Sequence, residues 1–185
     1  GAVIQNFTGH SGQIHSVYIT SDSRHVAATS GNTAILWNVE TGAIVWTQIF
    51  TVYTGQMVSV YISIELQYVM VYGSDGGTAM LLNFETGDTV RTFTGGHNGG
   101  ILSVTISQNF VVTASQDSKV ILWNIETGEM IRTFNGHQGG VLNVFISADS
   151  RYIWSCGRDG TATLWNTDSG LAIRTFTYFT GPNAN

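Results

Sequence analysis

The stretch TFTGGHNGG, residues 92–100, sets His97 among four glycines. That composition suits a loop that cradles a phosphate. Such a cradle needs a helix N-terminus behind it, where free N–H groups and the helix dipole face the anion. The residues that follow are ILSVTIS (101–107), a β-branched and apolar pattern that predicts a strand. The same place further along reads NGHQGGVLNVFIS (135–147). The glycines are therefore read as turn residues between strands, where a positive φ is needed. The remaining chemistry-bearing residues are sparse. Five histidines with no cysteine cluster and no paired spacing do not make a metal site. Cys156 is the single cysteine, so no internal disulfide forms.

Charge narrows the partners. Only 10% of the 185 residues are charged, against about 25% in an ordinary soluble domain. The net charge is −5, which argues against nucleic acid or anionic lipid as the main partner, since both reward a cationic surface. No apolar run approaches the roughly 20 residues needed to span a bilayer. The first residues, GAVIQNFTGH, lack the basic start and apolar core of a signal peptide. Thr, Ser, Asn, Gln and Gly stand where charge is missing, giving a hydrated surface that repels its neighbours weakly and permits association.

The elements that carry these residues repeat. LWNVETGAIVW begins at Leu36, LLNFETGDTVRTFTG at Leu81, LWNIETGEMIRTFNGH at Leu122 and LWNTDSGLAIRTF at Leu164. A period of 41–45 residues is that of a blade of four short strands. Between the anchors lie VLNVFIS (141–147), RYIWSC (151–156), TATLWN (161–166) and LAIRTF (171–176), separated by turn residues. No segment has the 3.6-residue periodicity of a long amphipathic helix. Pro182, the sole proline, interrupts no strand.

Gly96-His97 and Gly136-His137, each followed by an apolar strand and later by Trp-Asn, resemble the WD40 repeat family. The family's Trp-Asp ending stands here as Trp37-Asn38, Trp123-Asn124 and Trp165-Asn166, with Leu82-Asn83 in the second repeat. The resemblance runs from Gly9 to about Phe176. It implies an all-β fold, a β-propeller of four-stranded antiparallel blades. The segments are 1–10, the outer strand of a preceding or partner blade; 11–54, 55–95, 96–135 and 136–177, blades 1 to 4; and 178–185, a tail.

The resemblance also implies a hydrogen-bonded chain of His, Ser/Thr, Asp and Trp within a blade. The matching sets are His97, Thr113, Asp117 and Trp123 in blade 3, and His137, Ser155, Asp159 and Trp165 in blade 4. Such a network satisfies buried polar groups and fixes the turn. Asp, His and a hydroxyl are also the groups of a hydrolase. Two sets in successive repeats, with the hydroxyl and indole N–H consumed inside the blade, argue for scaffold over catalysis. No residue is assigned as catalytic, cofactor-binding or metal-ligating, and the chain is read as a non-enzyme without a cofactor. Blade 1 keeps His10 and Trp37 but places Gly31 and Ala27 at the Asp and Ser/Thr positions. Blade 2 has YTGQM in place of Gly-His, Gly76 and Leu82 at the Asp and Trp positions, and Asp75 one residue early.

Arg91, Arg132 and Arg174 recur at one place on the outer strands, as edge residues or as a lined-up partner site. Blade 1 has Trp46 nearby, read as an exposed contact. Tyr18, Tyr61 and Phe145 occupy equivalent places on the inner strands and are read as core. His15 and His25 are single residues in strand or turn context. AVIQNFTGH aligns with EMIRTFNGH, pairing Ile4 with Ile131, Phe7 with Phe134 and His10 with His137. The count is seventeen strands, one in surplus, and the expected arc is open or completed by a partner.

Function is read from these features as a WD40-type scaffold for protein–protein interaction or assembly. The alternative is a structural subunit that polymerises by strand addition or blade stacking into a filament or shell. Partners are other proteins or copies of the same chain, or the sequence belongs to a longer one. The inner strands QIHSVYIT, QMVSVYIS, GILSVTIS and GVLNVFIS lack Asp and Glu, so no ring of acids lines an axis as an enzyme or sugar binder would need. A cytoplasmic place follows from the resemblance alone, and the residues do not choose a compartment.

Overall fold

The computed structural model describes residues 3–51, 57–63, 65–73 and 76–177. The described residues contain strands and turns and no helix, arranged as four sheets of four antiparallel strands. This is the expected all-β fold, built from propeller-type blades. The chain divides into two compact units, Gly1–Ile101 and Leu102–Asn185.

In the first unit, β1 (Ser16–Ile19), β2 (His25–Ser30), β3 (Thr33–Asn38) and β4 (Ile44–Ile49) form blade 1 in chain order. β5 (Met57–Ser63), β6 (Tyr68–Gly73), β7 (Ala79–Asn83) and β8 (Thr89–Phe93) form blade 2. In the second, β9 (Ile101–Ile106), whose first residue is the last of the first unit, β10 (Phe110–Ser115), β11 (Lys119–Asn124) and β12 (Met130–Asn135) form blade 3. Blade 4 holds β13 (Val141–Ile146), β14 (Tyr152–Gly157), β15 (Thr161–Asn166) and β16 (Ala172–Thr177). Residues 3–10 join no sheet among the described residues, so sixteen strands stand where seventeen are expected. The aligned segment Met130–Asn135 is a strand because β11 pairs with it; no strand among the described residues pairs with residues 3–10.

The repeated Asn-x-(Glu/Asp)-(Thr/Ser)-Gly turn explains itself. Asn83 Oδ1 accepts the N–H of Glu85 at 2.9 Å and of Thr86 at 3.0 Å, and Asn124 does the same for Glu126 and Thr127. Asn38 and Asn166 each cap the N–H three residues on. A short side-chain carbonyl that satisfies backbone donors in a tight turn is what Asn supplies. The glycine closing each turn has a positive φ, from 69° to 78°. A register shift follows at the same place in all four blades, beside Trp37, Leu82, Trp123 and Trp165. That repeated bulge lets the third strand turn its Trp or Leu inward while the outer strand stays paired.

Each unit is cored by one blade packing on the next. Ala27, Ala34, Leu36 and Trp46 of blade 1 pack with Val60, Val69, Leu82 and other residues of blade 2. Val112, Val120, Leu122 and Phe134 of blade 3 pack with Val144, Ile153 and Trp165 of blade 4. The middle strands are thus apolar on the faces that meet between the two blades of a unit, as burial there requires. The inner strands are tied by polar contacts: Ser16 Oγ lies 3.0 Å from Ser59 Oγ, and Ser103 Oγ donates to Asn143 Oδ1 at 2.7 Å.

Candidate functional site

The acid, imidazole and hydroxyl of blade 4 do meet. The Trp165 indole N–H donates to Ser155 Oγ at 2.8 Å, and Ser155 Oγ lies 2.8 Å from His137 Nε2. His137 Nδ1 lies 2.8 Å from Asp159 Oδ2. An ionised carboxylate can only accept, so the proton is assigned to Nδ1, which leaves Nε2 to accept from the Ser155 hydroxyl. Asp159 also accepts from the backbone N–H groups of Gln138 and Thr161 and from the Thr161 hydroxyl. Burial alone would raise its pKa; these donors and His137 outweigh that and hold it at about 2, against an ordinary 3.8. Ser155 is fully buried and its oxygen is spent on the indole. A nucleophile needs an exposed oxygen beside an oxyanion hole, so this Ser–His–Asp row faces the wrong way for hydrolysis.

Blade 3 carries the matching pieces. Trp123 Nε1 donates to Thr113 Oγ1 at 2.9 Å, and Asp117 Oδ1 accepts from the Lys119 N–H at 3.0 Å. His97 is buried. In blade 1 the strand register corrects the alignment by one residue. Ala28, not Ala27, pairs across β3 where Ser155 pairs across β15. The reason is a two-residue turn between β2 and β3, one shorter than its counterpart in blade 4. His10 Nε2 reaches the Ala28 carbonyl at 3.2 Å in place of a hydroxyl, and the Trp37 indole donates to the Thr8 carbonyl. In blade 2, Val71 holds the hydroxyl position by register; Asp75 and most of YTGQM lie outside the described residues.

The outer-strand positions have a job that spacing did not reveal. Register places Trp46, Arg91, Arg132 and Arg174 opposite Leu36, Leu81, Leu122 and Leu164. Trp46 is therefore the counterpart of the arginines. It is 6% exposed, not an exposed contact, and its indole donates to the Phe84 carbonyl at 2.9 Å. Arg132 donates to the carbonyls of Asp168 and Ser169 at 2.7 and 3.2 Å. Both side chains lie over the turn glycine of the next blade. A Cβ on Gly87 would stand 2.8 Å from Trp46 Cδ2, and one on Gly170 would stand 2.6 Å from Arg132 Cδ. Gln5 covers Gly42 in the same way. Arg132 thus bonds within its own unit. Arg91 is half-buried. Arg174 is exposed, its guanidinium 5.9 Å from the Phe176 ring centre.

Among the described residues, each unit has an exposed lateral face. On blade 4, register sets Phe145, Trp154, Leu164 and Arg174 in one row. Tyr18 and Tyr61 pack edge to face at 5.5 Å, but Phe145 is 58% exposed, which corrects its reading as core. Trp154 and Phe176 lie beside it with ring centres 5.4 Å apart. This is the face through which blade 3 packs on blade 4; in blade 4 the described residues leave it open. The signal was in the sequence: the column Ala27, Met70, Val112, Trp154 turns aromatic only in the fourth repeat. On blade 1, the opposite face holds a cavity of about 370 Å³ lined by Phe7, Ile14, Val17, Val26, Ala28 and Trp37, among others.

The family description "WD domain, G-beta repeat" matches residues 1–38, 87–124 and 128–166, more than half of the chain. Each match ends at a Trp-Asn pair, and the unmatched stretch 39–86 holds most of blade 2, which lacks the Gly-His and Trp. No curated protein matches the chain. With the repeated blades, their capped Asn turns and the Trp–hydroxyl bonds in place, the chain belongs to the WD40 repeat family.

Proposed function

We propose that this chain is a non-catalytic scaffold that binds a protein partner through the open lateral face of blade 4. WD40 domains serve generally as platforms for protein interaction. The observation that carries the reading is the cluster of Phe145 and Trp154, paired by register, with Phe176 against Trp154, three exposed aromatics on one sheet. Large apolar groups grouped on a surface mark contact sites, and aromatic anchors dominate binding energy. The buried Ser155 and the inward His137 speak against a hydrolytic centre. A partner surface rich in aliphatic side chains complements this face, since the same face of blade 3 is covered by Val141, Val144 and Ile153.

Site-specific photo-crosslinking tests the proposal. A photoreactive residue at 145 is expected to give discrete protein adducts in native extract, lost in Trp154→Glu, while one at 40 on blade 1 gives none. Equal labelling from both positions would remove the face as a site. Hydrolysis of ester or amide substrates that disappears in Ser155→Ala would overturn the non-catalytic reading.

A further inference from the structure

We infer that β4 of blade 1 is a pairing edge, and that its occupant is the β4 of a second copy of this chain. Among the described residues β4 ends its sheet, with β3 on one side and no strand on the other. Just beyond the pair of Thr33 with Ile49, the Phe50 N–H donates to the Asn32 carbonyl. Alternation along an antiparallel ladder then points the main chain of Gln48 and Trp46 at β3 and turns the N–H and C=O of Thr47 and Ile49 outward.

All four outer strands end their sheets, and three of them are guarded. β8, β12 and β16 hold Arg91, Arg132 and Arg174 near their centres, and an edge with a central cation repels a copy of itself. β4 holds Trp46 there, its indole turned onto the Phe84 carbonyl. No charged residue stands between Glu40 and Glu65. The exposed positions are apolar as well. Ile49 is 65% exposed where its counterparts are Thr94, Asn135 and Thr177, and Ile44 is 49% exposed where β8 has Thr89. Thr89, Val90 and Thr94 are exposed too, although blade 1 packs on blade 2. Exposure is thus common to this rim, and residue type sets β4 apart. IVWTQI has high β propensity and no charge, proline or glycine, the composition of a segment that pairs with itself.

The register follows from the outward groups. Opposed residues of an antiparallel pair share a sheet face, so a two-fold axis sets one residue opposite its own copy. Thr47 is the outward-bonding residue at the centre of β4. Each Thr47 then exchanges main-chain N–H···O=C bonds with its copy, and Ile49 of each chain lies beside Val45 of the other, an aliphatic cross-strand pair on either side of the axis. Two four-stranded blades become one continuous sheet.

Sedimentation equilibrium of the full chain is expected to show a reversible monomer–dimer equilibrium. Thr47→Pro, which removes an outward N–H, and Thr47→Arg, which sets two cations on the axis, should each weaken it by about tenfold or more. Trp154→Glu should leave it unchanged. In a Cys156→Ser background, Thr47→Cys should give a disulfide-linked dimer on mild oxidation, and Thr92→Cys, at the same place on β8, should not. A chain that stays monomeric up to millimolar concentration overturns the inference, and so does equal crosslinking at positions 47 and 92. A dimer that persists in both Thr47 variants overturns it too, and loss of that dimer in Trp154→Glu would assign self-association to the blade 4 face.

Discussion

Ser155 accepts an indole proton while donating to an imidazole, so its loss strands two partners at once. Ser155→Ala leaves the Trp165 N–H and His137 Nε2 buried without a partner, a cost of about 1–3 kcal/mol for each such group. Urea unfolding followed by tryptophan fluorescence should show that loss, with Ser155→Thr retaining part of it. Asp159 adds a pH signature. Its carboxyl is held at about 2 in the folded chain and returns to about 3.8 on unfolding. Its contribution is therefore complete above pH 4 and is lost as pH falls toward 2. In Asp159→Asn this part of the acid limb should flatten when urea midpoints are compared between pH 2 and 5; an unchanged limb would assign acid sensitivity elsewhere. These residues were legible because spacing repeats them, Asp six before Trp and hydroxyl four before Asp. Ala28 was not, because a gap-free alignment cannot see a turn shortened by one residue.

Among the elements, the third-to-fourth-strand turn and the outer strand before it form a unit. Gly87 and Gly170 combine a positive φ of 75° with a neighbour that leaves no space for a methyl group. Gly87→Ala should cost about 1–2 kcal/mol from the left-handed backbone alone, with a further loss as Trp46 is pushed aside. Trp46→Ala should cost about 3–5 kcal/mol. In the double variant the clash part of Gly87→Ala vanishes, so the two losses add to less than their sum in chemical denaturation; strict additivity would show that the contact carries no energy. The strands themselves were readable from alternation and turn residues. The pairing of Trp46 with Gly87 was not, because a Trp and an Arg at one register position share no residue class. What unites them is reach, a long side chain with an N–H at its end.

Across the whole molecule, polar cohesion is uneven. Blade 4 holds a complete His–Ser–Asp–Trp chain, while blade 2 sets Val71 and Leu82 at the hydroxyl and indole positions and relies on apolar burial. Amide exchange in β6 and β7 should therefore be faster than in β14 and β15, measured by mass spectrometry; slower exchange in blade 2 would mean that packing outweighs the network. The repeat period made the architecture legible. Exposure of the blade 4 aromatics was not readable from periodicity, because an alternating pattern marks a sheet face without saying whether anything lies on it.

The glycine that receives a bulky neighbour belongs to one repeat, and the bulky residue belongs to the repeat before it. Gene duplication that copies one whole period carries a matched donor and acceptor into the new junction. A lone point change at either end spoils a fit that the other end still expects. Growth of such an array by copying is thus sterically permitted at each step, while drift within it is held in pairs, and Trp46 with Gly87 stands beside Arg132 with Gly170 as two solutions to the same kind of junction.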